Sequence, residues 1–172
     1  MIRNHINWLR NGLLAGALAL VGGGNALAAD APQTADVLNK LHQSDQNEIH
    51  AGKIAEKSGQ SKAVRDYGKM LVKDHTAADK KVTSLAKKEN IPLTAKEPSS
   101  GHMNDMAGSS DFDRKFARDM VDDHKKDIAE VTDARANTTD PQLKQLLTDV
   151  LPTLQKHEDA AQKIVDSENA RK

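Results

Sequence analysis

There is no cysteine in the 172 residues, which removes disulfides, thiolate metal sites and thiol nucleophiles at once. Aromatic residues are nearly as scarce, at 2 % of the chain, so a core has to be filled by Leu, Val, Ile, Ala and Met. Neither charge dominates: 25 basic residues face 25 acidic ones, leaving no electrostatic footprint for nucleic acid or an anionic lipid surface. The apolar run Leu13 to Val21 is nine residues, well short of the ~20 that a transmembrane helix needs. The glycines Gly22, Gly23 and Gly24 follow that run directly, so they do not form a nucleotide-binding loop.

What is present begins with a leader. Arg3 and Arg10 precede the apolar run, and Asn25-Ala26-Leu27-Ala28 follows the glycines. A charged start, a short apolar stretch and an A-x-A signal predict cleavage between Ala28 and Ala29, and export to the periplasm. With no cysteine behind the run a lipid anchor is excluded, and no transmembrane anchor remains after cleavage. Residues 1–28 hold two of the basic residues and none of the acidic ones, so the mature chain carries 23 against 25, a net −2. Its length suits one domain with a modest core.

The mature chain reads as all-α. Thr34 is a candidate cap for a first helix over 34–58, stopped by Gly59. Ser61 opens a second helix over 61–89, and the short break between them implies antiparallel neighbours. Prolines, glycines and serines fill 91–109, a connection long enough to be either disordered or a crossover along a bundle. His102, Met103 and Met106 within it read as part of a flexible polar loop. Ser110 with Asp113 resembles a capping box for a third helix over 110–137. Thr139-Asp140-Pro141 marks the start of a fourth over 141–168. Four helices of about 40 Å each predict an antiparallel four-helix bundle with a long connection between the second and third.

One segment is repeated. Tyr67-Gly68-Lys69-Met70-Leu71-Val72-Lys73-Asp74-His75 returns 49 residues later as Phe116-Ala117-Arg118-Asp119-Met120-Val121-Asp122-Asp123-His124. Reading each helix at steps of three and four shows where these histidines fall. The second helix reads Val64, Gly68, Leu71, His75, Ala78, Val82, Leu85, and the fourth Leu143, Leu147, Val150, Leu154, His157, Ala161, Ile164. The third reads Asp113, Ala117, Met120, His124, Ile128, Val131, and the first Leu38, Leu41, Asp45, Glu48, Gly52, Ala55.

Height places the interruptions together. Glu48, His75 and His124 each lie 14 residues from their predicted helix starts, and His157 lies 16 from Pro141. At 1.5 Å per residue each sits roughly 21–24 Å along its helix, so the predicted layer is central. Burying such groups singly costs a few kcal/mol each, so they satisfy one another, bind water or bind a metal. Asp45, Glu48, His75, His124 and His157 are therefore candidate ligands for a divalent metal such as zinc, iron or copper. Asp74 and Asp123 project about 100° from the histidines beside them and reach only ligands of adjacent helices, as supporting groups. The competing reading is a polar layer that fixes helix register. Glu158 reads as a solvated flank charge, and His42 and His50 as surface residues. No Glu has a His three residues later, which argues against a di-iron centre of ferritin type.

These motifs resemble the secreted bacterial ferritin-like family called domain of unknown function 4142. The similarity rests on Asp45-Gln46-Asn47-Glu48-Ile49-His50-Ala51-Gly52-Lys53-Ile54-Ala55, Leu71-Val72-Lys73-Asp74-His75, Phe112-Asp113 and Met120-Val121-Asp122-Asp123-His124. Asp140-Pro141-Gln142-Leu143-Lys144 and Leu151-Pro152-Thr153-Leu154-Gln155-Lys156-His157 complete it. Leu71 stands where similar chains often have Met, a volume-conserving difference. The resemblance implies a ferritin-like four-helix bundle exported to the periplasm or outer membrane, without implying an activity. Three functions fit: a non-catalytic or stress-related bundle with a structural or metal-holding layer, an iron- or copper-dependent oxidase or detoxification enzyme, and a module docking an envelope partner.

Overall fold

The computed structural model describes residues 31–99 and 101–170, with side chains omitted at 31, 32, 101 and 102. The predicted leader and its cleavage site lie outside the described residues, as does the side chain of His102. In chain order the helices are α1 (Ala31–Ser58), α2 (Lys62–Lys88), α3 (Gly101–Met106), α4 (Phe112–Asn137) and α5 (Pro141–Ala170). The four long ones form the expected antiparallel bundle, and no strand occurs among the described residues.

The register of α1 on α2 is set by two glycines. A Cβ added at Gly52 would meet the Gly68 carbonyl oxygen at 2.8 Å, and one added at Gly68 would meet the Gly52 oxygen at 2.6 Å. The backbones touch there, which only residues without a side chain permit. Seven residues back along α1 is Asp45, and seven forward along α2 is His75. Antiparallel helices bring those two together, and they are 2.8 Å apart.

The turn between α1 and α2 is closed from inside and outside. Ser61, expected as the first residue of the second helix, instead caps α2, its Oγ accepting from the Val64 amide at 3.2 Å. The Arg65 guanidinium donates to the carbonyls of Gly59 and Gln60 at 2.8 and 2.7 Å. The capping box expected at Ser110 and Asp113 does not form. α4 starts at Phe112, and Asp113 accepts instead from the amides of Gln60 and Ser61 at 2.8 and 2.6 Å. A carboxylate facing the free amides before α2 satisfies donors that a helix start leaves open, and fastens one hairpin to the other. Thr34 is likewise no cap. α1 begins a turn earlier, and the buried Thr34 hydroxyl donates to Asp140 at 3.2 Å. Asp140 caps α5, accepting from Gln142 and Leu143 at 2.8 and 3.2 Å.

The connection over 91–109 is a crossover carrying the short α3. Asn90, with φ of 58°, stops α2, and the Ile91 amide returns to the Ala86 carbonyl at 2.8 Å. The chain then runs along α1 and bonds to amide side chains spaced one turn apart. Asn39 accepts from the Thr94 amide at 2.8 Å, Gln43 from Lys96 at 2.7 Å, and Asn47 from Ser99 at 2.9 Å. Side-chain amides thus replace the helical or strand pairing that this backbone lacks.

The crossover makes α2 and α4 parallel across the bundle. Equivalent positions of the repeat consequently face each other: Tyr67 meets Phe116 edge to face at 6.1 Å, and His75 meets His124 at 5.8 Å between ring centres. The apolar core divides into two clusters. One holds Tyr67, Leu71, Phe112, Phe116, Met120 and Ala161; the other holds Leu38, Val82, Val131, Leu147, Val150 and Leu154. Between them, in sequence on every long helix, lies a polar residue of the predicted layer.

Candidate metal centre

His75 is 3 % exposed, and His124 and His157 are fully buried. One nitrogen of each ring lies within 4.8 Å of one nitrogen of the other two. The His157 ring centre is 5.1 Å from that of His75 and 5.2 Å from that of His124. Tyr67 closes one side, edge to face on His157 at 6.4 Å.

Each ring has an acceptor of its own on the outer side. His124 Nδ1 donates to the Met120 carbonyl one turn back, at 2.9 Å. His157 Nε2 faces Asp74 Oδ2 at 3.1 Å, and His75 Nδ1 faces Asp45 Oδ1 at 2.8 Å. With the ring protons on those nitrogens, the inward ones are bare lone pairs. His124 Nε2 and His157 Nδ1 are then 3.2 Å apart, lone pair toward lone pair, and His75 Nε2 is buried with no hydrogen-bond partner. Facing lone pairs repel, and an orphaned buried nitrogen costs about 1–3 kcal/mol. A cation between the three rings removes both penalties. Ligand imidazoles that donate their second nitrogen to a carboxylate or a backbone carbonyl are the usual arrangement around a bound metal. An ion held at about 2.0 Å by three nitrogens in a plane would place them about 3.5 Å apart; the His124 and His157 nitrogens are 3.2 Å apart, and all three lie within 4.8 Å of one another.

Burial keeps the rings neutral. It lowers His75 to about 4, against the pull of Asp127 and Asp74. It lowers His124 to about 3, helped by His75 and opposed by the bond to Met120, and lowers His157 to about 4, helped by His75 and opposed by Asp74. Near neutrality the nitrogens are therefore free of competing protons. Burial also raises the Asp74 carboxyl, but its bonds to His157 and Lys156 and the Lys156 charge outweigh that and hold it below the ordinary range.

The two predicted carboxylates of α1 do not join the nitrogens. Asp45 stands behind His75 as its hydrogen-bond partner, with its carboxyl raised by burial and by Asp79. Glu48 is 5 % exposed and its Oε2 has no partner. Burial, then the charges of Asp127, Asp123 and Asp45, push its carboxyl well up. Asp74 holds a histidine of the adjacent helix, while Asp123 is exposed. His42 is not a free surface residue: its Nδ1 bonds Asp79 at 2.5 Å across α1 and α2. The Met120 carbonyl carries no sequence signal, because every residue has one. Asp127 and Ser44, 2.9 Å apart across α1 and α4, were also missed, although Asp127 stands one turn beyond His124.

Residues 22–164 match the family described as domain of unknown function (DUF4142). The chain belongs to that family. Among solved structures, this DUF4142 chain is similar to "CopM in the Cu(I)-bound form", with a TM-score of 0.67 and 14 % identity over 78 % of this chain and 96 % of that one. At that identity the likeness establishes a shared helical fold. No curated protein matches. No helix among the described residues is long and apolar enough to cross a membrane.

Proposed function

We propose that this DUF4142 chain is an exported copper-binding bundle whose three-histidine layer holds the ion. The observation that carries the reading is the set of three buried neutral imidazoles, each fixed from behind and presenting a nitrogen to the other two. No carboxylate oxygen joins that set among the described residues, so it is uncharged. The cost of burying an ion grows with the square of its charge, which favours a monovalent ion over a divalent one. Imidazole suits copper among the transition metals, and Cu(I) accepts three ligands readily. The solved structure of similar fold is itself described as Cu(I)-bound. Holding the ion among three buried rings suits a storage or buffering role. The basic start, apolar run and A-x-A signal support export.

Competition with a Cu(I) chelator under anaerobic conditions tests the site. The wild-type chain is expected to withdraw a single Cu(I) per molecule, and His124→Ala none. Withdrawal by both chains alike, or by neither, overturns the reading. For export, the mass of the protein recovered from a periplasmic extract is expected to begin at Ala29, and an intact Met1 chain confined to the cytoplasm contradicts it.

A further inference from the structure

The bundle is closed on three seams and open on the fourth. A cleft of about 1650 Å³ is lined by α1, α4 and the crossover and reaches residues of α2 and α5, and its wall includes Glu48, Asp123 and Asp127 as well as His75. We infer that this cleft holds a second cation position, separate from the three histidines, in which Glu48 of α1 and Asp127 of α4 bind a hard divalent ion such as Mn²⁺ or Mg²⁺.

Three observations meet there. Glu48 is 95 % buried by its 5 % exposure, lines the cleft and has an oxygen, Oε2, without a hydrogen-bond partner. A buried acceptor with nothing to accept from is an incomplete arrangement, and the open cleft supplies the room to complete it. Asp127 is brought to the same face by the Ser44 hydroxyl, which donates to its Oδ2 at 2.9 Å one helical turn before Glu48. Asp123 and Asp45 add their negative charge to Glu48, so the position concentrates acid on a side chain that is already dry.

The chemistry separates this position from the histidine layer. Oxygen donors from carboxylates select hard cations, whereas the three neutral nitrogens select softer ones. Two protein carboxylates with the remaining places filled by water are the usual holding of Mg²⁺ or Mn²⁺, and the cleft is open to water. This inference does not depend on copper binding by the rings.

Mn²⁺ is the probe, followed by the loss of its aqueous electron paramagnetic resonance signal in chloride-free buffer. The full mature chain is expected to take up a single Mn²⁺, and to take it up equally after loading with one equivalent of Ag⁺, which occupies the nitrogens. Glu48→Gln and Asp127→Asn are each expected to weaken Mn²⁺ binding by about tenfold or more while retaining Ag⁺ and an unchanged circular dichroism spectrum. Uptake that is the same in Glu48→Gln as in wild type overturns the inference. So does Mn²⁺ that Ag⁺ displaces, because the two ions would then share one site. Failure of the copper reading shows separately, as wild-type chain that does not retain Ag⁺.

Discussion

The two copies of the repeat share an aromatic start, a valine and the closing Asp-His pair, and put them to different uses. His75 and His124 occupy equivalent places on parallel helices and both face the centre. Behind them the copies diverge. His75 is backed by a carboxylate of α1, Asp45, and His124 by a carbonyl of its own helix. The aspartates differ more. Asp74 reaches across to His157, while Asp123 is exposed on the α4 side of the open cleft. The cause is packing: α2 lies against α5, whereas the seam between α1 and α4 stays open beside the crossover. An Asp-His pair therefore specifies an inward imidazole on either helix. The neighbouring helix decides what the aspartate does.

That contrast has measurable consequences. The largest belongs to the shared histidine: His124→Ala is expected to abolish Cu(I) retention. It also removes a fully buried ring from the layer, lowering stability by about 2–4 kcal/mol in urea denaturation. Gly68→Ala comes next. Alanine gains about 1 kcal/mol in helix propensity, but its Cβ would meet the Gly52 carbonyl at 2.6 Å. Overpacking of that kind costs about 1–3 kcal/mol, so a net loss is expected in the thermal midpoint, together with weaker metal binding as Asp45 and His75 lose register.

Acid provides a third test. The rings titrate near 3 to 4 in the folded chain and near 6.5 in the unfolded one, so the unfolded state takes up protons first. Their contribution is complete above about pH 6.5 and is lost as pH falls toward 4, by up to about 1.4 kcal/mol per ring per unit. Glu48, Asp45 and Asp127 oppose this: with carboxyls raised chiefly by burial, Asp127 to about 6, their contribution is complete at low pH and is lost as pH rises. Removing one ring removes one of the contributions lost on acidification, so between about pH 7 and about pH 5 the urea midpoint of metal-free His157→Gln is expected to fall less, or rise more, than that of the metal-free wild-type chain.

The two aspartates give the smallest pair. Asp74→Asn removes the carboxylate behind His157, and Cu(I) affinity is expected to fall by about 10- to 100-fold with stoichiometry retained. Asp123→Asn, at the equivalent position of the other copy, is expected to leave it within about threefold. Equal effects in a chelator competition would show that the repeat, not the packing, assigns their roles.

The long helices and the level of the histidines were legible from the chain because helical rise is fixed. Fourteen residues from Ser61 and the apolar steps of α2 are enough to put His75 inside and halfway along. What the chain did not disclose were choices between equivalent partners. Asp113 could cap its own helix or the turn at Gln60, and only the placement of one hairpin on the other selects the second. The crossover lacks any apolar period, so its order along Asn39, Gln43 and Asn47 depends on amides whose partners lie more than fifty residues away. Glu48 shows the same limit. Its face was readable, but its absence from the three-nitrogen group and its place on the cleft wall were not.

Three imidazole nitrogens, and not the thioethers of the methionine-containing cluster beside them, are proposed to hold the metal. X-ray absorption on the Cu(I)-loaded chain reads this directly. A shell of three nitrogen scatterers at about 2.0 Å with the outer pattern of imidazole rings is expected. A sulfur shell at about 2.3 Å, or copper that leaves the protein on desalting, would contradict it.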